Sequence, residues 1–168
     1  MRVLVTGGAG FIGSHTVESM LARGWSVRVL DNLSAGKRSN LPAAHTGLEF
    51  IEGDIRDAGA VRRATADVDA VLHLAAQVSV QASVADPAGS AGHNILGFVN
   101  VLEAARAAGA RRFAYASSAA VYGTPQSLPL DEAAPVAPIS PYGLEKLVDD
   151  HYAALFVRLH GAKPLGLR

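Results

Sequence analysis

The first 31 residues constrain this chain most: an apolar run, a cluster of glycines, a helical stripe and a second apolar run end on a carboxylate. Arg2 to Thr6 carries Val3, Leu4 and Val5, short enough to be a buried parallel strand. Gly7, Gly8, Ala9 and Gly10 turn the chain. Phe11 to Arg23 follows with Val17, Met20 and Leu21 at helical spacing, and Gly24 stands where a helix ends. Val27 to Leu30 reads as the next strand, and Asp31 closes the unit 18 residues after Gly13.

Glycines at a strand-to-helix turn let an anion reach backbone N–H groups at the helix N-terminus with no Cβ in the way. Gly7, Gly10 and Gly13 serve that need. A glycine cluster alone also suits an ordinary tight turn; the strand before it, the helix after it and Asp31 beyond select a nucleotide site. A carboxylate accepts hydrogen bonds from ribose hydroxyls and repels a 2′-phosphate, which favours NAD over NADP, with Lys37 and Arg38 nearby as the contrary signal.

At 168 residues the chain is one domain's worth. Fifteen basic and fifteen acidic residues cancel, so electrostatics gives no case for nucleic acid or an anionic membrane surface. Without cysteine there are no disulfides, thiolate zinc sites or thiol nucleophiles. No apolar run reaches membrane-spanning length, and a strand begins too early for a signal peptide. A soluble, cytoplasmic protein is the expectation.

Asp31 to Gly47 reads as a loop with a turn of helix, and Leu48 to Glu52 as a third strand. Asp54, just past it, either lies beside an adenine edge or caps a helix, whereas Asp57 reads as the cap of a helix from Ala58 to Ala66. Asp69 to Leu74 is a fourth strand running into the small residues Ala75 and Ala76. His73 reads as a core histidine, and none of the six histidines has metal-ligand spacing. Val78 to Ala91 is polar and leads into a helix from Gly92 to Ala108 with the stripe Ile95, Val99, Leu102 and Ala105. Asn94 interrupts that stripe, either to hold backbone or to face solvent. Phe113 to Ser117 is a fifth strand. Gly123 to Pro141 holds five of the eight prolines and reads as an exposed functional loop. Ser140 and Pro141 open a helix whose inward stripe is expected at Leu144, Leu147, Val148, His151 and Leu155, ending at Gly161. Pro164 to Arg168 opens a sixth strand. Strands alternating with helices predict a doubly wound parallel sheet, a Rossmann fold of order 3-2-1-4-5-6.

Tyr142 and Lys146 stand four apart at a helix start, hence on one face. A tyrosine is a poor base at neutral pH, but a neighbouring ammonium and a cationic nicotinamide favour its phenolate. Ser118, in the hydroxyl-rich end of the fifth strand, would hydrogen-bond the same substrate oxygen.

With these residues the chain resembles the extended short-chain dehydrogenase/reductase family, in its sugar-nucleotide epimerase and dehydratase branch. The matching stretches are Thr6 to Gly13, Asp31-Asn32-Leu33, Gly53 to Asp57, Leu72 to Ala76, Ser117 to Gly123 and Ser140 to Lys146. The resemblance implies a catalytic trio of Ser118, Tyr142 and Lys146. It implies NAD held by Gly7, Gly10, Phe11, Ile12, Gly13, Asp31, Asn32, Asp54, Ile55, Leu74, Ala75 and Ala76 together with Tyr142 and Lys146, and Asn94 supporting the site. Similar dehydratases carry an acidic residue just after the catalytic hydroxyl, where this chain has Ala119 and Ala120. That points to a UDP-hexose 4-epimerase type, with a UDP-sugar oxidised and re-reduced at carbon 4 while NAD is regenerated. The alternatives are a dehydratase or reductase of the same family and a non-catalytic NAD sensor. The resemblance further implies a homodimer through Gly92–Ala108 and Pro141–His160, and a C-terminal substrate lobe beyond the sixth strand, without which turnover of UDP-galactose is expected to be poor.

Overall fold

A computed structural model describes residues 1–168. Six strands form one all-parallel sheet in the order β3-β2-β1-β4-β5-β6, as the alternation predicts. They are β1 (Arg2–Thr6), β2 (Ser26–Asp31), β3 (Leu48–Glu52), β4 (Ala70–His73), β5 (Arg112–Ala116) and β6 (Pro164–Leu167). The helices are α1 (Phe11–Ala22), α2 (Ala58–Thr65), α3 (Val80–Ala85), α4 (Pro87–Ala91), α5 (Gly97–Ala107) and α6 (Pro141–His160). No helix is long and apolar enough to cross a membrane.

Both faces of the sheet are covered, so the central strand is apolar at successive positions. Val3 and Val5 of β1 join Val17 and Leu21 of α1 on one side. Leu4 joins Phe98, Val101 and Leu102 of α5 on the other. Asp57 caps α2 as its sequence suggests, accepting from Gly59 N at 2.7 Å and Ala60 N at 3.2 Å.

Two stretches depart from the expected pattern. Gly92–Leu96 is a π turn, which adds a residue before α5 and moves its phase. Phe98 and Val101 therefore face the core in place of Ile95 and Val99, which are only half-buried, and Asn94 goes fully inside. On α6 the expected apolar stripe is only partly inside, with Leu147 and Val148 half-buried. Glu145, Lys146 and Asp149 are buried, whereas Leu144 is 53% exposed, Leu155 is 37% exposed and His151 is exposed. Glu145 goes inside because Ser90 and Asn94, already buried there, satisfy it, Lys146 and Asp149 pair with each other, and the exposed leucines take what remains.

A candidate dinucleotide cleft

At the carboxyl ends of the strands, where the order reverses between β1 and β4, an open cleft of about 590 Å³ crosses the sheet. The turn after β1 forms its floor. Gly7 has φ +69°, and a Cβ there would sit 2.7 Å from Ala75 N. A Cβ on Gly13 would strike Gly7 O and come within 2.7 Å of Gly8 Cα, so this glycine serves helix-to-strand packing rather than access. Around Gly10 only Gly7 O is near, at 3.3 Å, and that position keeps the access role. No side chain caps α1 and no acidic residue lies in its first turn. Its first amides have no intrahelical acceptors, and they end on the cleft through Phe11, Ile12 and Gly13.

Asp31 closes the far end, 7% exposed, its Oδ2 accepting from Ala9 N at 2.9 Å and its Oδ1 from Leu33 N at 2.8 Å. Each oxygen keeps a lone pair for a further donor. Asn32 and Ile55 also line the cleft, as do Leu74, Ala75, Ala76, Tyr142 and Lys146. Asp54 stands behind this lining. Its carboxylate accepts from Asn32 Nδ2 at 3.0 Å and from Arg56 Nε and Nη2 at 3.0 and 2.8 Å. The Arg56 guanidinium holds that carboxyl well below the usual range. Arg38 turns toward the Phe50 ring, 5.0 Å from its centroid.

The opposite wall is α6. Ser140 caps it by accepting from Gly143 N at 3.1 Å, and Tyr142 N donates to Ser83 Oγ at 3.1 Å, which ties the start of α6 to α3. Ser118 caps the short turn Ala119–Tyr122, accepting from Ala120 N at 3.1 Å and keeping its own proton to donate. Its neighbour Ser117, rather than Ser118 itself, lines the cleft, and donates to Asp150 Oδ2 at 3.1 Å.

Behind Tyr142 and Lys146 runs a buried polar network. Asn94 holds the segment after β4, donating to Gln77 O at 2.9 Å and accepting from Gln77 N at 2.8 Å. It also donates to Glu145 Oε2 at 2.6 Å, which takes a second bond from Ser90 Oγ at 2.8 Å. Lys146 Nζ reaches Asp149 Oδ2 at 3.2 Å, both side chains being inside. Burial pushes the Asp149 carboxyl up to about 7, against the pull of Lys146 and with Asp150 and Glu145 adding to the rise. His73 is buried beside Phe98 and Phe113 and shares a 2.7 Å bond with Thr6 Oγ1. Burial first and Lys146 second push it down to about 3. Thr6 Oγ1 accepts from Leu74 N and Ala75 N at 3.2 and 3.3 Å, so its proton is directed to His73 Nδ1. Glu145, Ser90 and Ser83 were not expected at the site. A glutamate beside Lys146 was the available signal, and its partners lie too far along the chain for spacing to reveal.

An uncapped glycine turn, a carboxylate 18 residues on and a Tyr-Lys pair across the same cleft define a dinucleotide-binding α/β protein. The chain belongs to the NAD dependent epimerase/dehydratase family, whose model matches residues 3–168. It is 44% identical over 169 residues to a putative UDP-glucose 4-epimerase of Methanocaldococcus jannaschii, covering 99% of this chain and 54% of that protein. Among solved structures it resembles the UDP-glucose 4-epimerase of Thermus thermophilus in complex with NAD. There the TM-score is 0.93 at 46% identity, over 100% of this chain and 54% of that one. It also resembles UDP-N-acetylglucosamine 4-epimerase from Methanobrevibacter ruminantium in complex with UDP-N-acetylmuramic acid. In that case the TM-score is 0.95 at 37% identity, over 99% and 54% of the two chains. The chain thus spans about half the length of these relatives.

Proposed function

We propose that the chain is the NAD-binding part of a sugar-nucleotide 4-epimerase acting on a UDP-hexose. The observation that carries this reading is the gathering of the α1 amides, Asp31, Tyr142 and Lys146 on one cleft. A nicotinamide dinucleotide suits these residues: the uncapped α1 end takes the pyrophosphate, and Asp31 and Asn32 take the adenosine ribose. Bound there, NAD supplies a reversible hydride acceptor. Tyr142 removes the proton from the sugar 4-hydroxyl and later returns it. Ser118 donates a hydrogen bond to that oxygen, and the Lys146 ammonium favours the phenolate. Ala119 and Ala120 add no carboxylate for elimination. The exposed apolar side chains Leu155, Val157 and Leu159 of α6 support a homodimer built on this helix.

In a protein of its relatives' full length, interconversion of UDP-galactose and UDP-glucose with no net NADH is the expected result, while residues 1–168 alone are expected to turn over poorly. Tyr142→Phe is expected to slow it by at least about 100-fold. Accumulating NADH or a released keto sugar would favour a reductase or dehydratase instead. Unchanged turnover in Tyr142→Phe would overturn the assignment of the base.

A further inference from the structure

Asp149 has no place in the chemistry above, yet it is wholly buried, and its Oδ1 is the buried side-chain atom left without a hydrogen-bond partner. A carboxylate that served only packing would have both oxygens satisfied, because an orphaned buried acceptor costs about 1–3 kcal/mol. Its one partner is Lys146 Nζ, at 3.2 Å, and Lys146 lines the cleft. Tyr142, Lys146 and Asp149 follow one another at i, i+4 and i+7 on α6, one face of two turns. We propose that Asp149 is a positioning residue for the cofactor site: it holds the Lys146 ammonium against the inner wall of the cleft and sets the net charge the nicotinamide ring meets there.

With Asp149 ionised, that wall carries a neutral pair; with Asp149 protonated it carries a bare ammonium. Oxidised nicotinamide is a cation and the reduced ring is neutral, so only NAD is repelled when the carboxylate loses its charge. The other groups facing the pair are Glu145 and Asp150 on α6, Tyr115 on β5 and His73 on β4. Tyr115 donates to Asp150 at 2.8 Å, and its hydroxyl is pushed above the usual range by burial and by Asp150. His73, pushed down to about 3, is neutral at the pH values that matter. Asp149 is raised to about 7, so its charge changes near neutrality.

This inference rests on the proposed cofactor reading, and the test separates the two. Calorimetric titrations of the chain with NAD and with NADH are made from pH 5.5 to 8.5, and repeated on Asp149→Asn. NAD affinity is expected to rise with pH through about 7 by about tenfold, the factor unit charges about 10 Å apart exert at an effective dielectric of about 20. NADH affinity is expected to stay level. In Asp149→Asn the rise should vanish and the preference for NAD over NADH at pH 8 should drop by the same factor. His93 also lines the cleft and remains in the variant, so an inflection that survives there belongs to other groups and counts against Asp149. An equal loss of both affinities would make Asp149 merely structural and overturn the inference, as would an unchanged ratio. Should the variant not fold, the pH series on His93→Gln decides: the rise in NAD affinity is expected to persist there, and its loss would overturn the inference. Binding of neither cofactor by the unmodified chain overturns the cofactor reading and the inference with it.

Discussion

The two walls of the cleft are built in opposite ways. The α1 wall is apolar inside: Val17 and Leu21 pack on Val3 and Val5, and its working surface is bare backbone presented by glycines. The α6 wall puts three of its charges inside: Glu145, Lys146 and Asp149 are buried, while Leu144, Leu155 and Leu159 face outward. Backbone amides cannot titrate, so the α1 wall offers a fixed partial positive charge at any pH. Side-chain charges can, so the α6 wall is adjustable, and its stability depends on every member keeping its partner.

The sharpest way to break this contrast is to put a side chain where the α1 wall has none. Gly13→Val must displace Gly7 O and Gly8 Cα, backbone atoms with nowhere to go, and is expected to cost at least about 3 kcal/mol by chemical denaturation. A loss under about 1 kcal/mol would show that the turn is looser than its geometry.

Stability against pH separates the walls next. Asp149, raised to about 7, holds its proton longer when folded, so its contribution is full below about 4 and is lost as pH rises toward 7. His73, lowered to about 3, contributes above about 6.5 and loses that contribution as pH falls toward 3. Between about pH 4 and 6.5 the two slopes oppose, and each single variant exposes the other. Asp149→Asn is expected to gain stability with rising pH by about 3 kcal/mol over that window, and His73→Asn to lose a similar amount. Flat profiles in both variants would contradict the burial of these groups.

Smaller effects follow. Glu145→Ala removes the acceptor of Ser90 Oγ and one of the two acceptors of Asn94 Nδ2 and is expected to cost about 2 kcal/mol in thermal unfolding, while Glu145→Gln keeps an acceptor and costs less. Leu159→Gln, on the side of α6 that is 63% exposed at this residue, is expected to change monomer stability by no more than about 0.5 kcal/mol.

The same contrast explains what the sequence makes legible. In β1, α1 and β2 each residue's role follows from neighbours a few positions away, so apolar period, glycines and Asp31 locate the floor of the cleft. On α6 the deciding partners are remote. Glu145 is satisfied by Ser90 and Asn94, 55 and 51 residues away, and Asp150 by Tyr115 and Ser117, 35 and 33 away. Helical period alone favours burying Leu144 and Leu155, and the charge network overrides it. The π turn at Gly92–Leu96 is equally hidden, because one extra residue shifts the phase of α5 without altering its composition.

Whether this cleft is a preformed NAD site is tested most directly by calorimetric titration of the chain with NAD and then NADP. NAD is expected to bind, and NADP far more weakly, because Asp31 would face the 2′-phosphate. Failure of NAD to bind, or tighter binding of NADP, would contradict that assignment.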